Sequence, residues 1–364
     1  MRIHPKYRHW FSQAFTFAAI WAFFGLIYVI LEKGLLGDSD YYPATDNIYD
    51  FKSSLFFTVP GSFLMGFLQG WIEVAWLKKK FINKPFWHKI LFKGILYLLL
   101  IVIFLVFITF GVNAIRNNSS PFSREVIQSV RVFFTDFAFW SIVIFVAVIV
   151  DLALFFSEIK DFVGGNVYFN YAFGRYHRPK QEIRIFMFLD MKSSTTIAEK
   201  IGHSNYFFLI KSFYSEMTDA ILETSGEIYQ YVGDEIVVSW TREAGLKNNN
   251  CINCFEKISA AIGAKKEWYK NEYGFVPEFK AGFHIGEVTT GEIGTLKKEI
   301  IYSGDVLNTA ARIQALCNQY GARVLISGIL KEELQDNGNS GFSEIGEITL
   351  RGKSSTITLY KSGA

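Results

Sequence analysis

The chain has 364 residues, half of them hydrophobic and 37 of them Phe, which leaves room for roughly two or three domains and is aromatic-rich for a soluble enzyme. A formal net charge of +3 supplies no field for a polyanion, so nucleic acid is excluded as an expected partner. Three cysteines are too few for a disulfide framework and fit a reducing compartment, while Cys251-x-x-Cys254 lacks the second ligand pair of a zinc site and reads as helix packing.

The hydrophobic excess lies at the front of the chain. Trp10 to Leu31 carries no charge and, at about 20 residues, is long enough to cross a bilayer as a helix. It is too long for a signal peptide and further apolar runs follow it. Leu55 to Trp76 is a second span, interrupted by Pro60, Gly61 and Glu73; Ile95 to Val112 is a third. Val132 to Phe156 is a fourth, with Asp136 and Asp151 near its ends, where headgroups or water make charge tolerable. Glu73, close to a basic connection, is expected to snorkel to the interface. The expected organisation is a membrane domain of four transmembrane helices over residues 1–157, a cytoplasmic linker over 158–182 and a catalytic domain over 183–364.

Basic residues set the orientation. Arg2, Lys6 and Arg8 precede the first span and Lys78, Lys79, Lys80, Lys84 and Lys89 crowd the second connection, whereas Asp38, Asp40, Asp46 and Asp50 occupy the first. The positive-inside rule places both termini and the second connection in the cytoplasm, giving a multi-pass protein of the cell membrane with its soluble half inside. The outer connections, about 20 residues each, are too short for a folded receptor domain. In the linker, Gly164-Gly165 and Pro179 predict a jointed connector.

Ile185 to Leu189 forms an apolar run that stops at Asp190 and is followed by Met191-Lys192-Ser193-Ser194-Thr195. This predicts a buried strand, an acid and a helix start with Ser/Thr hydroxyls as caps. Taken alone, Asp190 reads as a helix cap; equally, a carboxylate beside a helix N-terminus can hold a cation next to a polyphosphate. An amphipathic helix is predicted over Tyr206 to Leu222. Glu227 to Val232 and Ile236 to Trp240, joined at Gly233-Asp234, predict a hairpin, whose acid and Asp190 can converge on paired cations. A helix is expected around Cys254 to Tyr269. Phe279 to Glu287 reads as a strand, with Gly282 and Gly286 where a backbone or ligand approaches closely, and His284 on it reads as a core hydrogen-bonder. Asn308 and Arg312 are four apart and share one helical face, suited to a ribose and a phosphate or to a solvated pair. Arg323 to Ser327 and Thr356 to Tyr360 read as closing strands around the basic turn Arg351-Gly352-Lys353.

The ordered set of Asp190, Tyr231-Val232-Gly233-Asp234, His284-Ile285-Gly286-Glu287 and Gly304-Asp305-x-x-Asn308-x-x-x-Arg312 resembles the class III nucleotidyl cyclases, the adenylate and guanylate cyclase family, over about Arg184 to Tyr360. The resemblance implies an α+β, ferredoxin-like catalytic domain behind the α-helical membrane domain. It implies a homodimer in which Asp190, Asp234 and the carbonyl of Met191 hold two Mg2+ or Mn2+ ions, and Asn308 and Arg312 reach the same site from the other copy. Asn308 would orient the ribose, Arg312 would meet charge on the α-phosphate, Lys353 would hold the terminal phosphates, and Ser193, Ser194 and Thr195 would supply N–H groups to phosphate. The substrate is a nucleoside triphosphate and the expected reaction is ATP to 3′,5′-cyclic AMP and pyrophosphate.

Two features depart from the family pattern. Ser193-Ser194 stands where the family often has Gly-Phe, and the two base-reading positions hold Gln230 and Ile301. An amide donates or accepts, and Ile makes no hydrogen bond, so a guanylate or pyrimidine nucleotide cyclase stays open beside the adenylate cyclase, as does a non-catalytic cyclase-like membrane sensor.

Overall fold

Residues 5–42, 48–81, 84–116, 119–120, 122–164, 174–335, 341–353 and 355–363 are described by the computed structural model. The chain divides into one unit of Tyr7–Gly165 and another of Asn166–Ala364 together with Met1–Lys6.

The first unit contains α1 (Pro5–Leu36), α2 (Phe51–Ile72), α3 (Phe86–Arg116), α4 (Arg124–Thr135) and α5 (Phe137–Val163). Four stretches, Trp10–Leu36, Phe51–Leu77, Phe86–Gly111 and Phe139–Phe162, are long and apolar enough to cross a membrane. Asp50 caps α2 by accepting from the Ser53 N–H at 2.8 Å. Pro60 and Gly61 do not interrupt this helix. Instead it runs on through one π turn, Glu73–Leu77, into Lys78–Phe81.

The expected snorkelling of Glu73 does not occur. Its side chain is buried and paired with Lys93 Nζ of α3, and the Tyr97 hydroxyl donates to it at 3.2 Å. Lys93 also reaches Glu158 Oε1 of α5 at 2.9 Å, and Glu158 Oε2 accepts from Lys89 at 3.1 Å. Partners on another helix satisfy the charge inside the bundle, which the charge pattern of one helix does not reveal. Three more bonds hold the end of α5. Asp161 Oδ1 accepts from Lys78 at 2.7 Å and from Gln13 of α1 at 3.2 Å, and Lys160 donates to Thr16 of α1 at 3.1 Å.

The expected fourth span also shifts. The helix breaks at Asp136, between α4 and α5, and the Thr135 hydroxyl at the end of α4 donates to the Arg131 and Val132 carbonyls. Asp151 consequently lies in the middle of α5 and not near its end, with its carboxylate against Gly94 of α3, where a Cβ would stand 2.2 Å from Oδ1. The helix also continues through Glu158 to Val163, residues expected in the linker. Residues 165–173 of that linker lie outside the described residues.

The second unit is built on an eight-stranded sheet of order β2-β3-β1-β4-β6-β8-β7, with β5 paired to β4. The strands are β1 (Lys180–Met191), β2 (Glu227–Val232), β3 (Glu235–Thr241), β4 (Phe279–Ile293), β5 (Glu299–Ser303), β6 (Val324–Ser327), β7 (Phe342–Thr349) and β8 (Thr356–Ser362). All pairings are antiparallel except β4 with β6. Besides a five-residue helix at Arg242–Leu246, the α-helices are α6 (Ser194–Ile201), α7 (His203–Glu223), α8 (Asn250–Ala264), α9 (Lys266–Tyr273), α10 (Asp305–Ala315) and α11 (Gly328–Glu333).

The period of two along β1 explains its unbroken apolar run. Ile185, Met187 and Leu189 enter the core with Leu209, Phe213 and Met217 of α7 and Phe255 and Ile258 of α8. Phe186 and Phe188 enter a second core on the other face with Val306 and Ala310 of α10. The single helix expected over Cys254 to Tyr269 is two, because the Lys265 N–H bonds back to the Ile262 carbonyl in a tighter turn. Cys251 and Cys254 are buried core residues of α8. Strand β7 has no counterpart in the sequence reading: it is an edge strand whose Ser343, Glu344 and Glu347 are polar and whose apolar signal is correspondingly weak.

Candidate active site

Strand register brings the first charged group together. Asp190, the penultimate residue of β1, pairs with Glu235 of β3 on one side and Lys280 of β4 on the other. The β2–β3 turn is Gly233-Asp234, where Gly233 has φ +64°, a conformation that favours glycine. Tyr214 of α7 pins this turn, its hydroxyl lying 3.0 Å from the Gly233 carbonyl oxygen and 3.1 Å from that of Glu235. Asp190 and Asp234 are therefore neighbours at one end of the sheet.

Their electrostatics are those of crowded acids. Burial, and then the Asp234 carboxyl beside it, raise the pKa of Asp190 above the ordinary carboxylate range, against the opposing pull of Gln314 and Lys280. Glu235 is pushed up to about 7, by burial first and then by Asp190 and Asp234. Asp234 Oδ2 is buried without a hydrogen-bond partner. Carboxylates held this close, one with an orphaned oxygen, fit a multivalent cation. Among the described residues no group of three or more His, Cys, Asp or Glu side chains gathers as a metal cage. Backbone and substrate oxygens would have to complete the coordination.

Met191 is the last residue of β1. The Ser/Thr hydroxyl cap expected after it is absent: Ser193 takes a left-handed backbone, φ +57°, and makes no side-chain cap bond. Ser193 thus keeps a conformation that glycine adopts more cheaply. Ser194 and Thr195 open α6, whose first N–H groups have no partner within the helix.

A second group forms on α10 and the turn after β7. Lys353 Nζ is bonded to Asp305 Oδ2 and to Thr309 Oγ1, which holds the Asp305 carboxyl below its ordinary range. A Cβ on Gly352 would stand 3.5 Å from Arg312 Nη2, so the guanidinium lies over this turn. Asn308 is exposed one helical turn away. Among the described residues no hydrogen bond or ion pair links Asn308, Arg312 or Lys353 to Asp190 or Asp234. The two remaining positions are on strands: Gln230 is exposed on β2, after a bulge, and Ile301 is half-buried on β5 opposite Gly291.

Two residues at this site escaped the sequence reading. Lys280 Nζ is 3.6 Å from Asp190 Oδ2, and Gln314 Nε2 donates to the same oxygen at 3.0 Å. Both are distant in sequence and arrive through register and packing. Gly282 was the available signal, for its missing Cβ would stand 2.2 Å from the Gln314 backbone nitrogen.

His284 lies on β4, with Nδ1 2.8 Å from Ser327 Oγ. Burial, then the Lys353 charge, push its pKa down to about 4, with Asp305 opposing. A depressed folded-state pKa contributes stability that is present above the unfolded value of 6.5 and lost as pH falls toward 4. The expected result is an acid-side loss of up to about 3 kcal/mol. It should be visible as a falling melting temperature of this unit, with a shallower pH slope in His284→Asn; equal slopes would discount the histidine.

The family described as "Adenylate and Guanylate cyclase catalytic domain" matches residues 176–362. "Adenylate cyclase 2" of Rhizobium meliloti (strain 1021) is 32% identical over 206 residues, 57% of this chain and 57% of that protein. "Adenylate cyclase" of Anabaena cylindrica is 24% identical over 185 residues, 48% of this chain and 36% of that protein. The chain therefore spans just over half the length of the first relative and about a third of the second. Among solved structures, a bacterial light-regulated adenylyl cyclase superposes with a TM-score of 0.51 at 21% identity, covering 58% of this chain and 61% of that one. That likeness speaks to the fold.

Proposed function

We propose, from the premise that the chain belongs to the class III adenylate and guanylate cyclase family, as the match over residues 176–362 shows, that it is a membrane-anchored adenylate cyclase working as a homodimer. The observation that carries the chemistry is the paired carboxylates Asp190 and Asp234 with an orphaned buried oxygen. Relatives named adenylate cyclase support ATP as the substrate. Four apolar helices support the anchor, and the basic residues around Lys78 to Lys89 support a cytoplasmic catalytic unit.

Asp190, Asp234 and the Met191 carbonyl would hold two Mg2+ or Mn2+ ions, which when bound make the ribose 3′-hydroxyl more acidic and neutralise the triphosphate. Asn308 orients the ribose. Arg312 balances the charge that grows on the α-phosphate as the 3′-oxygen attacks in line and pyrophosphate leaves. Lys353, Lys280 and the α6 N–H groups after Ser193 bind the remaining phosphate oxygens, as charge and helix geometry favour. Gln230 and Ile301 face the base. Within one chain the acids and the Asn308/Arg312 pair form separate groups, which suits a site completed by a second copy.

The test is the purified full-length protein with Mn2+ and each of the four nucleoside triphosphates. Cyclic AMP from ATP is the expected main product, at least roughly tenfold faster than any other, the scale of about 1.4 kcal/mol of discrimination. A faster reaction with another triphosphate overturns the choice of base. No cyclic product from any of the four overturns the enzyme and leaves a membrane sensor.

A further inference from the structure

The geometry points to Gln314 as a positioning residue that fixes the Asp190 carboxylate and ties both half-sites of one chain to a single helix. This rests on the reading of Asp190 as a metal ligand and of Asn308 and Arg312 as transition-state groups.

Helix α10 carries Asn308 and Arg312 on one face, and two residues beyond Arg312 it presents Gln314 on a different face. Exposure follows that division: Asn308 is exposed, Arg312 half-buried and Gln314 buried. Gln314 is 5% exposed, and its Nε2 donates to Asp190 Oδ2 at 3.0 Å. Its placement is not adjustable. The α10 backbone at Gln314 rests against Gly282 of β4, where a Cβ would stand 2.2 Å from the Gln314 nitrogen and 2.6 Å from its Cα. Lys280, two residues earlier on β4, approaches the same carboxylate oxygen at 3.6 Å. An amide donor is the right partner for a carboxylate that must stay charged and keep one orientation, because it adds a directed bond without a competing charge. It leaves a lone pair on Oδ2 and the whole of Oδ1 for cations.

The same helix thus serves two sites in a homodimer. Its Asn308/Arg312 face belongs to the site completed by the partner's acids, and its Gln314 face to the site holding its own Asp190. A displacement of α10 along its axis reaches both sites at once.

The test measures Mn2+ binding to the detergent-solubilised full-length protein by the loss of the free-ion electron paramagnetic resonance signal. Gln314→Met removes the donor at similar volume, and Gln314→Asn keeps the amide but falls short of Asp190. Both are expected to weaken Mn2+ binding about tenfold, the lower end of what lost outer partners of metal ligands cost. The Mn2+ concentration for half-activation rises in parallel, with KM for the triphosphate at saturating Mn2+ nearly unchanged. Unchanged Mn2+ affinity in either folded variant overturns the proposal.

Mixed dimers of Asp190→Ala and Arg312→Ala chains locate the effect. Gln314→Met added to the Arg312→Ala chain, which supplies the surviving Asp190, raises the Mn2+ requirement; added to the other chain it does not. Equal effects from either chain would reduce Gln314 to a packing residue. Absence of any activity in mixed dimers would count against the shared site alone, while the Mn2+ binding result would still decide the role of Gln314.

Discussion

Chains carrying Asp190→Ala and chains carrying Arg312→Ala are each expected to lose cyclase activity by roughly 10²–10³-fold or more, the scale for removing one preorganised charge partner from a transition state. Mixed in equal amounts they should regain about a quarter of wild-type activity. The fraction follows from symmetry: half the dimers are mixed, and each mixed dimer holds one site with both Asp190 and Arg312 intact and one with neither. The argument starts from geometry. Asp190 near the end of β1 and Asp234 in the β2–β3 turn are neighbours, whereas Arg312 lies over Gly352 without a bond to either acid. Activity assays on co-expressed, doubly tagged dimers check it. Mixed dimers as inactive as the parents would place the whole site within one chain.

Lys93→Met is expected to destabilise the helical unit by about 3–5 kcal/mol, the usual result of removing one partner from a buried ion pair. Lys93 is 1% exposed and serves Glu73 and Glu158 together. Its loss strands the buried Glu73 carboxylate with only the Tyr97 hydroxyl, while Glu158 keeps Lys89. Pairing the change with Glu73→Gln should restore more than half of the lost stability, because the stranded charge goes with it. Reversible unfolding in mixed micelles reads the two values. A cost below about 1 kcal/mol for Lys93→Met would mean the pair behaves like a surface salt bridge.

The parts of this protein that local pattern announces are the parts its sequence made readable. The apolar run ending at Asp190, the glycine turn before Asp234 and the four-residue spacing of Asn308 and Arg312 are each set within a dozen residues. Lys280 and Gln314 are not. Lys280 is placed by the β1–β4 register and Gln314 by the closeness of α10 to Gly282, and neither relation is written in neighbouring residues. The same limit explains the apolar helices. Hydropathy locates them, but the partners of Glu73 sit on α3, and side-chain bonds of this kind are not registered by a sliding average. The polar β7 passed unnoticed because pairing with β8, and not its own composition, makes it a strand.

The end of α5 joins three kinds of bond within four residues. Glu158 is held by lysines of α3, Lys160 by a threonine of α1, and Asp161 by Lys78 beyond α2 and Gln13 of α1. Each of the other three long helices therefore has its own handle on the same short segment, which ends at Val163 and Gly164 just before the chain leaves the unit. Such an arrangement adds forces instead of relaying them one at a time. A shift of any single helix pulls against bonds to the other two, so the position of this segment is set by three helices at once.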